Sequence, residues 1–176
     1  PRFTPPLVKR LEEMGPIRYM YLTHRDDVAD HQKYHEHFGC VSEAGRVGAL
    51  RILHADEISS GTRNVEIQLT GFEPYQLAPD LLIIPVPGHT KGHTVLLHRN
   101  KFLFTGDHLA WDDEDRVLAG FPDVCWYSWS ELIKSSRKLA NYCFEWVLPG
   151  HGRRYHADAK TMHQQLLRGI EWMEAH

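Results

Sequence analysis

Several class-defining features are missing from this 176-residue sequence. Its three cysteines, Cys40, Cys125 and Cys143, are odd in number and form no CxxC pair, which argues against a zinc knuckle and against a disulfide framework. No hydrophobic run approaches the roughly 20 residues of a transmembrane helix, and no signal-peptide pattern opens the chain. A net charge of −3 gives no electrostatic case for binding nucleic acid or an anionic membrane. We therefore expect a cytoplasmic protein that acts on a small molecule.

Histidine is the residue that stands out, with 13 copies, while hydrophobic (42%) and charged (24%) contents are ordinary for a globular protein. The length is enough for one domain with a real core. Strand-like and helix-like segments are mixed, with no repeat or linker between them, so the sequence predicts a single α/β domain over residues 1–176. Because the chain begins at Pro1, we expect a processed product or a piece of something longer.

Hydrophobic patterning predicts the elements in more detail. Helices are predicted over residues 4–15, 27–38, 128–142 and 157–175, the third capped by Ser128 or Ser130. Strands are predicted within 16–23, 49–56, 65–77, 80–88 and 144–152. Residues 94–98 and 101–107 are predicted to form a hairpin that turns at Arg99 and Asn100. Residues 41–48, which are mostly small or polar, are predicted to be a loop.

Four loops share one form, in which an apolar strand runs into a turn that holds His or Asp. They are "LTHRDD", "PVPGHTKGHTVLL", "LFTGDHLAW" and "WVLPGHGRRY". Strand ends are where α/β folds place binding groups, and four such loops can meet at one point on a sheet edge. Imidazole and carboxylate together suit zinc, iron or manganese, and the glycines beside the candidate ligands let the backbone approach an ion closely. The Asp107 carboxylate could bridge two metals.

In order and separation, "PGHTKGH", "FTGDHL" and "LPGHG" resemble the metallo-β-lactamase-fold superfamily, which includes hydroxyacylglutathione hydrolases. The resemblance runs from residue 17 to residue 155. It implies an αββα sandwich with one or two metal ions along a sheet edge. His89, Asp107 and His151 are then the third histidine ligand, the bridging carboxylate and the last histidine ligand. It also implies that a metal-activated water attacks an ester, thioester, amide or phosphodiester.

The first metal motif departs from the family form His-x-His-x-Asp-His, because this chain has "HRDDVADH" from His24 to His31. In one register, His24 is the first histidine, Asp26 replaces the second, and Asp30 with His31 ends the motif. In the other, His24 is the second histidine, Asp26 is the aspartate and Asp27 replaces the last histidine. The second register keeps the ligands ahead of the predicted helix, but Asp27 and His31 would share a helix face, so both registers stay open.

The candidate site follows from both registers. The candidate metal ligands are His24, Asp26, Asp27, His31, His89, Asp107 and His151. Asp26 either binds metal or orients the attacking hydroxide, which makes it the candidate catalytic residue. Zinc is the default ion, one or two per chain, and the carboxylate-rich first motif makes iron or manganese possible.

The resemblance also implies that the chain is short at its N-terminus, because residue 1 falls at about the end of the β-rich segment that family members usually carry. We therefore expect an exposed sheet edge that a homodimer or a partner chain covers. Two rival functions remain: a non-catalytic binding or assembly module, and a di-iron redox protein of the same fold. The aromatic stretch "CWYSW" (residues 125–129) could line a substrate pocket or pack in a core. Arg153 and Arg154 could bind an anionic substrate or form a solvated turn.

Overall fold

The structure is a computed structural model that describes residues 1–26, 28–42 and 45–176, with the backbone alone for residues 39–42 and 45–48. The chain folds into two compact units, an N-terminal unit, Pro1–Thr70, and a C-terminal unit, Gly71–His176. Each is described separately below, and the single domain expected from the sequence stays a prediction.

The N-terminal unit combines two helices with a small parallel sheet. Its elements in chain order are α1 (Pro5–Met14), β1 (Tyr19–Tyr21), α2 (His31–His37), β2 (Gly39–Ser42), β3 (Gly45–Gly48), β4 (Leu50–His54) and β5 (Ile67–Leu69). The strands β1, β4 and β5 form a three-stranded sheet in that order, with both pairings parallel. The ends of β1 and β4 therefore lie at the same edge of this sheet, which places the residues after Tyr21 beside those after His54.

Two sequence predictions for this unit are wrong. The helix predicted from residue 27 begins at His31, because Asp30 adopts a left-handed conformation with φ of 60° that a helix cannot continue through. His31 is thus the first residue of α2, and the helix face predicted to be shared by Asp27 and His31 involves a residue outside the described ranges. Residues 41–48 were predicted to be a loop, yet β2 and β3 pair antiparallel there. Backbone pairing outweighed a composition of small and polar side chains.

The C-terminal unit is built on a six-stranded sheet. Its elements are β6 (Tyr75–Ala78), β7 (Leu81–Pro85), β8 (Thr94–His98), β9 (Phe102–Gly106), β10 (Ala110–Asp112), β11 (Val117–Ala119), α3 (Trp129–Leu139), β12 (Trp146–Pro149), β13 (Tyr155–His156) and α4 (Ala159–Ala175). The order in the sheet is β13-β12-β9-β8-β7-β6, and β10 pairs with β11 separately. Only β9 and β12 are parallel neighbours; the other pairings are antiparallel.

The predicted hairpin of β8 and β9 is confirmed, and its turn has a clear local cause. Arg99 and Asn100 both have positive φ, 55° and 49°, as a two-residue turn that matches the twist of its strands requires. The Ser128 side chain caps α3 by accepting from the Glu131 backbone N–H, which settles the choice between Ser128 and Ser130. The short strands β10, β11 and β13 were not predicted, because each has only two or three residues.

The core of the C-terminal unit lies between one face of the sheet, β11 and the helices α3 and α4. Its buried residues include Ile84, Val95, Leu132, Leu166 and Ile170. The N-terminal unit has two smaller apolar clusters. Within the ranges that the structure describes, no helix combines the length and the apolar composition that crossing a membrane requires.

Candidate metal centre

Three of the predicted ligands follow strands that end at the same edge of the six-stranded sheet. β8 is antiparallel to both β7 and β9, so β7 and β9 run in the same direction, and β12 runs parallel to β9. Their carboxyl ends therefore coincide. His89 follows β7, Asp107 follows β9 and His151 follows β12. Strand direction alone thus brings the three loops together within the C-terminal unit.

The Asp107 carboxylate lies between the two histidines. His151 Nδ1 is 2.9 Å from Asp107 Oδ1 and 3.1 Å from Oδ2, and His89 Nε2 is 3.9 Å from Oδ2. Tetrahedral zinc with bonds of about 2.0–2.2 Å holds its donor atoms roughly 3.3–3.6 Å apart. The His89–Asp107 separation lies slightly above that spacing, and the His151–Asp107 separation, which is a hydrogen bond, lies slightly below it. His89 is 3% exposed and Asp107 9%, whereas the His151 side chain is 64% exposed. The set is thus a mostly buried pair of donors with one donor facing outward.

A glycine makes room for this carboxylate. A Cβ atom at position 150 would lie 2.9 Å from Asp107 Oδ1, closer than ordinary van der Waals contact. The Gly150 backbone N–H donates to the Gly106 carbonyl at 2.7 Å, which joins the Asp107 loop to the His151 loop. Both the donor spacing and this cradle fit a divalent cation held by His89, Asp107 and His151.

Two further histidines support the loops from behind. The Asp107 backbone N–H donates to His93 Nε2 at 3.2 Å, which engages that ring nitrogen in positioning Asp107. The Ser136 hydroxyl donates to the Leu132 carbonyl, so the His108 Nε2–H must donate to Ser136 Oγ, 3.2 Å away. Burial, helped by the nearby His89, lowers the pKa of His108 to about 3. His108 is therefore a neutral ring that packs beneath the site.

The predicted ligands of the N-terminal unit lie on the loop that follows β1. His24 Nε2 is 3.6 Å from Asp26 Oδ2, which is again close to the spacing of two donors on one ion. His24 is 2% exposed, and its Nδ1 is hydrogen-bonded to the Thr23 hydroxyl at 2.9 Å. This contact leaves the Nε2 side of the ring facing the Asp26 carboxylate.

A buried glutamate fixes this loop. Glu57 is fully buried, and its Oε2 accepts from the Arg25 backbone N–H and from Arg25 Nε, both at 3.0 Å. The hydrogen bond to Glu57 is the main reason that the pKa of Arg25 is raised. Arg25 lies between His24 and Asp26 in sequence, so this contact anchors the backbone from which both side chains extend. No sequence pattern pointed to Glu57, which lies 32 residues from Arg25.

The remaining candidates of the first motif make other contacts. Asp30 accepts from the Phe3 backbone N–H at 2.8 Å and pairs with Lys33 at 2.7 Å. His31 Nδ1 accepts from Arg51 Nη1 at 3.0 Å. Burial, then the Arg51 charge, lowers the pKa of His31, and a hydrogen bond to the Gly61 backbone opposes this. Asp27 lies outside the described residues.

Arg153 and Arg154 lie beside the candidate ligand His151. They line an open cavity of about 580 Å³ together with residues 148, 149 and 152. The Arg153 guanidinium forms an ion pair with Asp113, and its backbone carbonyl accepts from the Trp111 N–H at 2.9 Å. Arg153 is therefore tied to the β10–β11 hairpin.

Comparison with solved structures gives the fold. The DIM-1 metallo-β-lactamase superimposes with a TM-score of 0.66 at 17% identity, covering 97% of this chain and 75% of DIM-1. VMB-1 gives 0.69 at 17% identity, covering 97% and 74%. ST1585 from Sulfolobus tokodaii, an archaeal metallo-β-lactamase superfamily protein, gives 0.55 at 18% identity, covering 89% and 69%. The sequence matches no protein-family model and no curated protein.

These similarities show that the chain has the metallo-β-lactamase fold. The fold class expected from the motif order is therefore confirmed. At identities below 20% the likeness carries the fold alone, because one fold hosts many chemistries.

Proposed function

We propose that this chain is a metal-dependent hydrolase. The observation that carries the proposal is the Asp107 carboxylate, which lies between His89 and His151 at donor-like distances. Imidazole and carboxylate donors, a glycine cradle and a site at the carboxyl ends of strands together support a catalytic divalent ion rather than an ordinary polar cluster.

The proposed ligands are His89, Asp107 and His151 in the C-terminal unit and His24 with Asp26 in the N-terminal unit. Of the two registers, we propose the second. The contacts of Asp30 with Phe3 and Lys33 support it, because they occupy the carboxylate that the first register needs. Asp27 is also a proposed ligand, because in the second register it replaces the last histidine of the motif.

His31 is left out of the proposed ligands for a physical reason. Its Nδ1 lone pair already accepts a hydrogen bond from the Arg51 cation, and its Nε2 is then the protonated nitrogen. A cation beside the ring also opposes the approach of a metal ion. We propose that His31 supports α2 and β4 instead.

A bound divalent ion would supply a water of lowered pKa as the nucleophile and would stabilise the developing oxyanion. The chain's own residues orient the reaction. Asp26, 45% exposed in its side chain, has two alternative proposed roles: it binds the ion, or it accepts a proton from the attacking water and sets the direction of attack. The contact of Arg25 with Glu57 anchors the backbone next to that carboxylate.

The finer assignments belong to the same proposal. We propose zinc as the ion, with iron or manganese as alternatives, and an ester, thioester, amide or phosphodiester as the substrate. We propose a reducing, cytoplasmic setting, which the free thiols of Cys125 and Cys143 support. We also propose a homodimer or partner chain over β1, which lies at one edge of its sheet.

The test is metal content per chain by elemental analysis, on protein purified without chelator and then offered zinc. We expect at least one equivalent in the wild type. Asp107→Asn should lower the metal affinity by about 100-fold or more, because it removes a charged donor. Asp123→Asn makes the same chemical change at an exposed position and should leave the metal content unchanged.

Hydrolysis of model esters, thioesters, amides and phosphodiesters then tests the activity. We expect at least one class to be cleaved by metal-loaded protein, with loss on chelation and recovery on adding metal back. A folded protein that binds no zinc contradicts the proposal and favours the binding or assembly module. Bound metal without cleavage of any class contradicts the hydrolase assignment.

A further inference from the structure

Two large aromatic side chains of the C-terminal unit face solvent on a loop whose backbone is hydrogen-bonded to that of the candidate ligand His89. Trp126 is 67% exposed and Tyr127 49%. Because aromatic side chains of this size are usually mostly buried, the exposure of two in succession is unusual. The alternative that the 125–129 stretch packs in a core does not hold for these two residues.

The loop that carries them is bound to the metal loop by its backbone. The Trp126 and Tyr127 backbone N–H groups both donate to the His89 carbonyl, at 2.9 and 3.1 Å, and the Ser128 N–H donates to the Gly88 carbonyl at 2.9 Å. The Cys125 thiol also donates to that carbonyl at 3.2 Å. Burial raises the pKa of this thiol, which keeps its proton available.

These four hydrogen bonds have a geometric consequence. Both aromatic residues are held one hydrogen bond away from the backbone of a proposed ligand. Binding surfaces often present exposed aromatic side chains from a hydrogen-bonded backbone. Trp and Tyr each have only two side-chain torsions, so little conformational entropy is lost when a ligand stacks on them.

A cavity with one apolar wall extends this surface. Its volume is about 330 Å³; Tyr127, Phe72, Pro85 and Pro87 form the apolar wall, and the other wall is polar and charged, from Glu131, Lys134, Ser135 and Lys138. Phe72 is itself 47% exposed. The volume falls at the lower end of the range for small-molecule sites and fits a single ring or a short chain. Lys138 Nζ donates to the Phe72 carbonyl at 2.8 Å and to the Pro85 carbonyl at 3.2 Å, which ties the cavity walls together.

We infer that Trp126 and Tyr127 form an aromatic platform that binds an apolar group, an aryl ring or a short alkyl chain, on the substrate of the neighbouring site. This inference rests on the proposed hydrolase function, since it names the substrate class of that site. The platform selects esters, thioesters or amides that carry such a group over those that do not.

The test compares two acetyl esters, methyl acetate and 2-naphthyl acetate, on zinc-loaded protein. Trp126→Ala should lower kcat/KM for the naphthyl ester by about 5–10-fold relative to the methyl ester, chiefly through KM, because one aromatic contact is lost. Trp126→Phe should restore most of the ratio. Tyr75→Ala removes another exposed aromatic side chain, 45% exposed, from β6 and should leave the ratio unchanged.

Binding of 2-naphthol, measured by equilibrium dialysis, gives a readout that needs no turnover. We expect wild-type binding and a 5–10-fold weaker affinity in Trp126→Ala. The inference is overturned if the wild type does not bind 2-naphthol, if Trp126→Ala binds it equally well, or if the substitution changes both esters to the same extent. Binding that depends on Trp126 without cleavage of either ester would retain the platform, and the hydrolase function would be refuted only if thioesters, amides and phosphodiesters also resisted cleavage.

Discussion

Gly150→Ala tests the candidate site by steric displacement, because it changes no proposed ligand and adds only a methyl group beside Asp107. Gly150 is not among the glycines with positive φ, so alanine can adopt its backbone conformation without strain. The added Cβ would lie 2.9 Å from Asp107 Oδ1, and reaching ordinary contact requires the carboxylate to move by about 0.5 Å. Metal–ligand distances tolerate deviations of only about 0.2 Å. The same oxygen is the one 2.9 Å from His151 Nδ1, so the movement disturbs two proposed ligands together.

We expect Gly150→Ala to raise the zinc dissociation constant by about 10–100-fold, the cost of misplacing groups that orient ligands. That range corresponds to about 1.4–2.8 kcal/mol. The assay is competition with a chromogenic chelator, combined with urea unfolding of the metal-free protein to verify that the variant folds. Gly61→Ala is the matched control, because a Cβ there meets nothing within 4 Å. A folded Gly150→Ala variant that binds zinc as tightly as the wild type would refute the reasoning.

Three other predictions concern stability. Gly169→Ala should lower the free energy of unfolding by about 2–4 kcal/mol in urea titration, because its Cβ would overlap the Leu118 carbonyl where α4 packs on β11; an unchanged midpoint would contradict that packing. Arg51→Met should lower the free energy of unfolding by about 3 kcal/mol in the same assay, because Arg51 is 2% exposed and pairs with Glu66 through two guanidinium nitrogens. Arg18→Met, at an exposed position, is the control and should leave it nearly unchanged. Since the pKa of His31 is lowered in the fold, the unfolded chain takes up a proton that the folded chain resists as pH falls through 6.5. Stability should therefore decrease between pH 7.5 and 5.5, and less so in His31→Gln; equal pH dependence in both proteins would refute this.

The C-terminal unit could be predicted well from sequence because its signals are local. The apolar run of β7, the turn at Arg99 and Asn100, and the serine that caps α3 each act within a few residues. The order of the glycine–histidine and glycine–aspartate loops then fixed the fold class. The strand directions then determine the site, because β7, β9 and β12 run in the same direction and their carboxyl ends bring His89, Asp107 and His151 to one edge of the sheet.

The N-terminal unit was harder to predict because its determining contacts are distant in sequence. The left-handed Asp30 is held by the Phe3 backbone, 27 residues away, and helix periodicity contains no trace of that contact. His31 fitted the ligand pattern, yet its partner Arg51 lies 20 residues further on. Residue spacing can identify a histidine as a candidate metal ligand. It cannot show that a distant arginine already donates a hydrogen bond to the ring nitrogen that would bind the metal.

Gly88, the glycine of the first "PGH" motif, has a packing role that is independent of metal binding. A side chain there would collide with the backbone of Leu132 in α3, so the helix, rather than any ion, forbids other residues at this position. A descendant of this chain that lost its metal ligands would still need that glycine to keep α3 against the sheet. The glycine of such a motif can therefore be retained after metal binding is lost. A search that takes "PGH" as evidence of a metal site would then include proteins that bind no metal.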